Sequence, residues 1–227
     1  MRTIAVPSWC SSLWCYLVYK IGEGAISPLY FIMIYIIIGA MDGVSFDNIF
    51  DKLTENDTAL FVEPLPHQFK RLSENVKKLS CKVLLENLPI SDKTEDVNIA
   101  YINEDYKSKY DYFYEGCSSV VKFDVPLNRY LAKLEKTHLS THACTTITFD
   151  ELCSKYGFDK VDYVQVDCEG YDQLIVDSID LEKYSIKKLK FETHYLTKDF
   201  IEYFSNKWKS YKPTIIEADI IYEYCDK

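Results

Sequence analysis

No apolar run in this chain of 227 residues is long enough to cross a membrane as a helix, which takes about 20 residues. The longest, Leu29 to Ile38, has ten. Upstream of it, Lys20, Gly22, Glu23, Gly24 and Pro28 break an otherwise apolar N-terminus. A signal peptide is also poorly matched, because Arg2 is a single charge and no convincing small-residue cleavage site follows. Residues 1–28 are therefore expected to be an N-terminal extension or helical cap on a cytoplasmic protein without a stable membrane anchor. An excess of positive charge is lacking too. Lys and Arg number 26 against 35 Asp and Glu, a net charge of -9. A nucleic-acid binder needs a basic face to displace counterions, so no nucleic-acid partner is expected. The eight cysteines contain no C-x-x-C pair, and no His stands at finger spacing from them. That disfavours structural zinc and fits buried free thiols in a reducing compartment. No internal repeat, low-complexity tract or flexible linker is found.

What is present is a globular α/β pattern. Hydrophobic residues make up 48% of the chain, including 19 Tyr and 12 Phe, so large areas are available for burial. Residues 29–38 have no polar face, as in a strand buried on both sides. "SFDNIFDKLTEN" carries Phe46, Ile49, Phe50 and Leu53 at helical spacing. "DTALFVEP" predicts a second strand, "PHQFKRLSENVKKL" an amphipathic helix and "CKVLLENLPI" a third strand. The β-α-β-α-β order is that of an open parallel sheet. Residues 93–145 differ, with short strands, expected to be antiparallel, at "VNIAYI" and "SSVVKFDV". The later part of "NRYLAKLEKTHLSTHAC" is expected to be a loop. "KVDYVQVDCEGY" and "SIKKLKFETHYL" are further strands with polar ends, and "KPTIIEADIIYEY" suggests a closing hairpin at the sheet edge. The domain is expected to span 29–227, with the antiparallel segment an insertion at about 93–145.

In such a sheet, ligands bind off the carboxyl ends of the strands. The first turn is "GAMDG", Gly39 to Gly43, where glycines would let backbone approach a ligand. Glu63, at the end of the second strand, is placed to accept hydrogen bonds from a ribose diol. A dinucleotide fingerprint would want glycine where Met41 and Val44 stand, and Asp42 would oppose a diphosphate. The loop chemistry thus favours a cofactor without phosphate, such as S-adenosylmethionine, over a nicotinamide.

The segments "IGAMDGVSFDNIF", "FVEPLPHQFKRLSEN", "LPISD", "TTITFDELCSKYGFDKVDYVQVDCEGYDQLIVDSID" and "KLKFETHYL" occur in that order. Together they resemble the FkbM family of S-adenosylmethionine-dependent methyltransferases, over about residues 34–196. The resemblance implies a class I methyltransferase fold, Rossmann-like, with a mostly parallel seven-stranded sheet, helices on both faces and an antiparallel edge strand. It also implies O-methyl transfer, with a small-molecule or glycan acceptor, often a sugar hydroxyl. Gly39, Ala40, Asp42, Gly43 and Glu63 would then hold the donor, with Ser91 and Asp92 as candidates for the adenine edge. The family loop usually has Asn where Met41 stands, which removes one polar contact near the donor.

Methyl transfer to a hydroxyl needs a base, or a metal that lowers the hydroxyl's pKa. Asp167 and Glu169 are two apart at a strand end, so alternation would point both the same way. They could equally cap the following helix. Glu192 and His194 end the next strand, with His194 a candidate base. Asp167, Glu192 and His194 are candidate ligands of a divalent metal, and metal-free catalysis by Asp167, Glu169 and His194 is the alternative. Cys168 is expected to pack on the opposite face. A non-catalytic nucleoside-binding module of the same fold and an NAD-dependent oxidoreductase remain as other readings.

Overall fold

The computed structural model describes residues 32–45, 48–121, 128–193 and 198–225; the proposed extension at 1–28, and with it Cys10 and Cys15, lies outside them. The chain runs β1 (Ile34–Ile38), β2 (Thr58–Val62), α1 (Pro66–Asn75), β3 (Lys82–Glu86), β4 (Ile90–Ser91), β5 (Asp96–Ile102), β6 (Ser118–Val121), β7 (Leu139–Thr145), β8 (Ile147–Thr148), α2 (Phe149–Tyr156), β9 (Tyr163–Val166), α3 (Asp172–Ser178), β10 (Lys188–Glu192), α4 (Lys198–Lys207), β11 (Tyr211–Ile216) and β12 (Asp219–Tyr224).

Seven strands form the main sheet, in the order β11-β12-β10-β9-β1-β2-β3. β1 is central and pairs in parallel with β2 and β9, Ile36 lying opposite Leu60 on one side and Val164 on the other. That position explains its composition. Ile36 and Ile38 enter the larger core with residues of α2, α3 and α4. Tyr35 and Ile37 enter a second core with Leu72 of α1 and Phe61. A strand covered on both faces has no position for a polar side chain. The terminal hairpin forms as expected and brings antiparallel pairing to that edge of the sheet. β12 pairs antiparallel with both β10 and β11, and β11 lies outside it.

Two expectations need correction. Among the described residues, the stretch after the glycine loop forms one 3-10 turn, Ile49–Lys52, in place of a longer helix. Asp57 accepts hydrogen bonds from the Thr54 N–H at 2.7 Å and the Met33 N–H at 3.1 Å, which turns the chain into β2 before a longer helix can grow. The segment expected as a loop after His138 is instead β7, which pairs with β5 over seven residues. With β6 on its other side, β5 thus centres a three-stranded antiparallel sheet. Under it, Tyr110, Tyr114 and Tyr130 pack against Cys117 and Leu131. Among the described residues, no helix is long and apolar enough to cross a membrane.

Candidate active site

β1 ends at Ile38, and the next two N–H groups, of Gly39 and Ala40, both donate to the Val62 carbonyl at 3.0 Å. This bends the chain across the end of β2. Gly39 has φ 79° and Gly43 φ 80°, a region that side chains disfavour. The space they leave is not ligand space, as the sequence suggested. A Cβ on Gly39 would lie 1.8 Å from the Asp167 carbonyl oxygen, and one on Gly43 would lie 2.8 Å from Leu72 and Phe50 side-chain carbons. The glycines let the loop press against the end of β9 and against α1. Met41 also sits at positive φ, 49°, where Asn is tolerated better than Met. That is a backbone reason for the family's usual Asn.

Glu63 follows β2 directly and is buried. Its two oxygens accept from the Met41 N–H at 2.9 Å and the Leu65 N–H at 2.8 Å. Burial pushes its carboxyl up to about 7, against the pull of those two N–H groups. Each carboxylate oxygen can take a second donor, so the group retains capacity for a ribose diol. Asp42 is also buried, and its carboxylate turns into its own loop. It accepts from the N–H groups of Val44 and Ser45 at 3.1 and 2.9 Å and from the Ser45 hydroxyl. Burial raises its pKa, but these hydrogen bonds outweigh it and hold the carboxyl below its ordinary value.

β9 ends at Val166, so Asp167 to Gly170 form a turn and not a strand. Glu169 has φ 54° and Gly170 φ 99°. Asp167 and Glu169 do line the same space, but through this turn and not through strand alternation. The sequence reading missed the residue that builds it. Asp172, at the first position of α3, accepts from the Cys168 N–H at 2.9 Å and the Gly170 N–H at 3.0 Å. Burial lifts its carboxyl to about 6. Asn128, also missed, is buried and donates to the Glu169 carboxylate at 2.5 Å.

The glycine loop, Glu63 and the turn after β9 share one cavity of about 230 Å³. Gly39, Ala40, Met41, Asp42, Gly43 and Glu63 line it together with Asp167, Glu169 and Glu192. Asp167 lines this cavity and is exposed at the end of β9. Its carboxyl is raised well above the ordinary range, by desolvation first and then by the carboxylates of Asp172, Glu192 and Glu169. Cys168 packs against the larger core and also touches the cavity. Its thiol is raised well above its ordinary value, chiefly by burial. Ser91 and Asp92 do not line the cavity. Ser91 is fully buried and donates to Asp92 at 3.0 Å. Leu88, Pro89 and Ile90 stand at the cavity in their place. His194 lies outside the described residues. Among the described residues, no group of three or more His, Cys, Asp or Glu is arranged to hold a metal ion.

A sheet of this order, with its last strand reversed and its cavity at the carboxyl ends of β1, β2, β9 and β10, is that of the class I methyltransferase fold. A model of the methyltransferase FkbM domain matches residues 38–218, and the chain belongs to that family of S-adenosylmethionine-dependent methyltransferases. No curated protein matches the sequence. Among solved structures, the chain is similar to a methyltransferase from Geobacter sulfurreducens, with 10% identity over 86% of this chain and 71% of that one, at a TM-score of 0.45. It is also similar to a chain of a fibrillarin/Nop5p complex, with 10% identity over 86% of this chain and 73% of that one, at 0.43.

Proposed function

We propose that the protein transfers a methyl group from S-adenosylmethionine to a hydroxyl of a sugar or glycan. The residues of the cavity suit this donor. Glu63 has two occupied and two open acceptor positions for a ribose, and Leu88, Pro89 and Ile90 give an apolar slot beside it for a base. The bound donor supplies a methyl group already activated for displacement. The chain must hold the acceptor oxygen in line with that group and take its proton.

The observation that carries the reading is the wall of carboxylates, Asp167, Glu169 and Glu192, at the ends of β9 and β10. Three acids on one wall favour a neutral, hydrogen-donating acceptor over a phosphate. Asp167 is the proposed base. Desolvation and its acidic neighbours raise its proton affinity, which suits proton capture near neutral pH. Glu169, held by Asn128, orients the hydroxyl. His194 is retained as a candidate base, and Asp167, Glu192 and His194 as candidate ligands of a divalent ion. We place the protein in the cytoplasm, where a reducing compartment suits buried thiols such as Cys117 and Cys153. The test is transfer of a labelled methyl group to a panel of free sugars, glycosylated metabolites and glycans. Labelled hydroxyls on a sugar are expected. Transfer confined to amines or nucleic acid would overturn the acceptor assignment.

A further inference from the structure

The glycine loop is strained at one position. Gly39 and Gly43 take left-handed φ angles without cost, but Met41 shares that region at φ 49°, and a non-glycine residue persists there only where its surroundings impose it. At its start, two N–H groups are fixed by Val62 and one by Glu63. In its middle, the Asp42 carbonyl accepts from the Asn75 side chain at 2.9 Å. At its far end, the Ser45 hydroxyl donates to Asp42, and the Ser45 oxygen in turn accepts a hydrogen bond from the Tyr112 hydroxyl.

Tyr112 does not belong to the Rossmann-like sheet. It opens a 3-10 turn, Tyr112–Glu115, between β5 and β6, 67 residues from Ser45 in sequence. That turn is anchored independently on α1. Arg71 pairs with the Glu115 carboxylate at 3.0 Å, and buried Gln68 donates to the Glu115 carbonyl at 3.0 Å. Phe113, Glu115 and Gln68 line the same cavity as the loop. The turn is therefore a fixed arm that delivers one hydroxyl to the loop's free end.

We propose that Tyr112 is a positioning residue of the donor site, which acts on the glycine loop through Ser45 and Asp42. This rests on the glycine loop and Glu63 forming the donor site, and it does not depend on the acceptor. Most of the Tyr112 side chain is in solvent, 53% exposed, so its hydroxyl adds little to the stability of the unliganded protein. Its effect falls on how well the loop is preorganised for the donor.

The experiment is calorimetric titration of S-adenosylhomocysteine, with urea unfolding of each variant as control. Tyr112→Phe is expected to weaken binding by about two- to tenfold, the worth of one hydrogen bond, with an unchanged urea midpoint. Tyr112→Phe added to Ser45→Ala is expected to weaken binding no further, because the same route has already been cut. Wild-type affinity in Tyr112→Phe, or additive losses in the double variant, would overturn the proposal. So would a drop in urea midpoint large enough to account for the loss. Glu63→Ala separates the two levels. If it weakens binding and Tyr112→Phe does not, only the role of Tyr112 fails. If neither does, the loop is not the donor site and both readings fail.

Discussion

Replacing Gly39 by alanine tests the reason for the glycine loop, with Gly157 as an internal standard. Gly157 ends α2 with φ 66°, and a Cβ added there would meet nothing within 4 Å. Gly157→Ala therefore isolates the cost of a left-handed backbone, about 1–2 kcal/mol. Gly39→Ala carries the same cost at φ 79° and adds a Cβ 1.8 Å from the Asp167 carbonyl oxygen. That oxygen is backbone, so no rotamer change can relieve the contact. The ends of β1 and β9 have to part, although the Asp167 N–H is bonded to the Ile38 carbonyl at 3.0 Å. Forced overpacking costs about 1–3 kcal/mol, which brings Gly39→Ala to about 2–5 kcal/mol. Urea unfolding at 25 °C measures both variants on one scale. Gly39→Ala should be the less stable of the two, and its donor affinity should fall because Asp167 and the loop are displaced together. Equal destabilisation of the two variants would refute the claim that Gly39 makes room for the end of β9.

Three further outcomes are expected. The Glu63 carboxyl, near 7 in the folded protein against an ordinary 4.5, binds its proton more tightly folded than unfolded. Its contribution to stability should therefore fall as pH rises from about 4.5 to 7, a slope that Glu63→Gln removes in unfolding measurements. Donor affinity should rise over the upper part of that window as the ionised carboxylate becomes the better ribose acceptor, and calorimetry across pH checks it. Asp167→Asn should lower turnover on an identified acceptor by about 100-fold or more with donor affinity nearly unchanged; activity lost to a chelator and restored by magnesium or manganese would assign Asp167 to a metal. Met41→Asn should raise stability by about 0.5–1 kcal/mol by relieving the left-handed strain, read as a higher urea midpoint, and no gain would mean that the Met41 side chain contributes packing of equal worth.

The cavity was legible in outline because its residues sit at strand ends, and strand ends show in sequence as apolar runs that stop. Gly39 to Gly43, Glu63, Asp167, Glu169 and Glu192 all meet there. Ser91 and Asp92 show the limit of that reasoning. They follow the third strand as the adenine contact should, yet β4 pairs with β8 at Ser91 and buries it. The short parallel pairing that decides this involves Thr148, 57 residues downstream, and no local pattern announces it. β7 was missed for a related reason. Its residues, "LSTHACT", are mostly small and polar on both faces, so hydrophobic alternation is faint and only the partner β5 makes it a strand.

The sequence by itself determined the strands and helices that frame the site and the chemical types at it. The apolar run before Gly39 marked a central strand, which the structure places at Ile34–Ile38, and the glycines with Asp42 marked the turn after it. The tertiary structure decided what those residues touch. Gly39 faces a carbonyl of another strand and not a ligand. Asp42 spends its carboxylate on its own loop. Asp172 and Asn128 shape the turn that carries Asp167 and Glu169, and Tyr112 reaches Ser45 from the inserted sheet. Periodicity reports which way a side chain leaves its own backbone. It carries no information about which distant backbone arrives to meet it, and at this site those distant partners fix both the conformation and the charge.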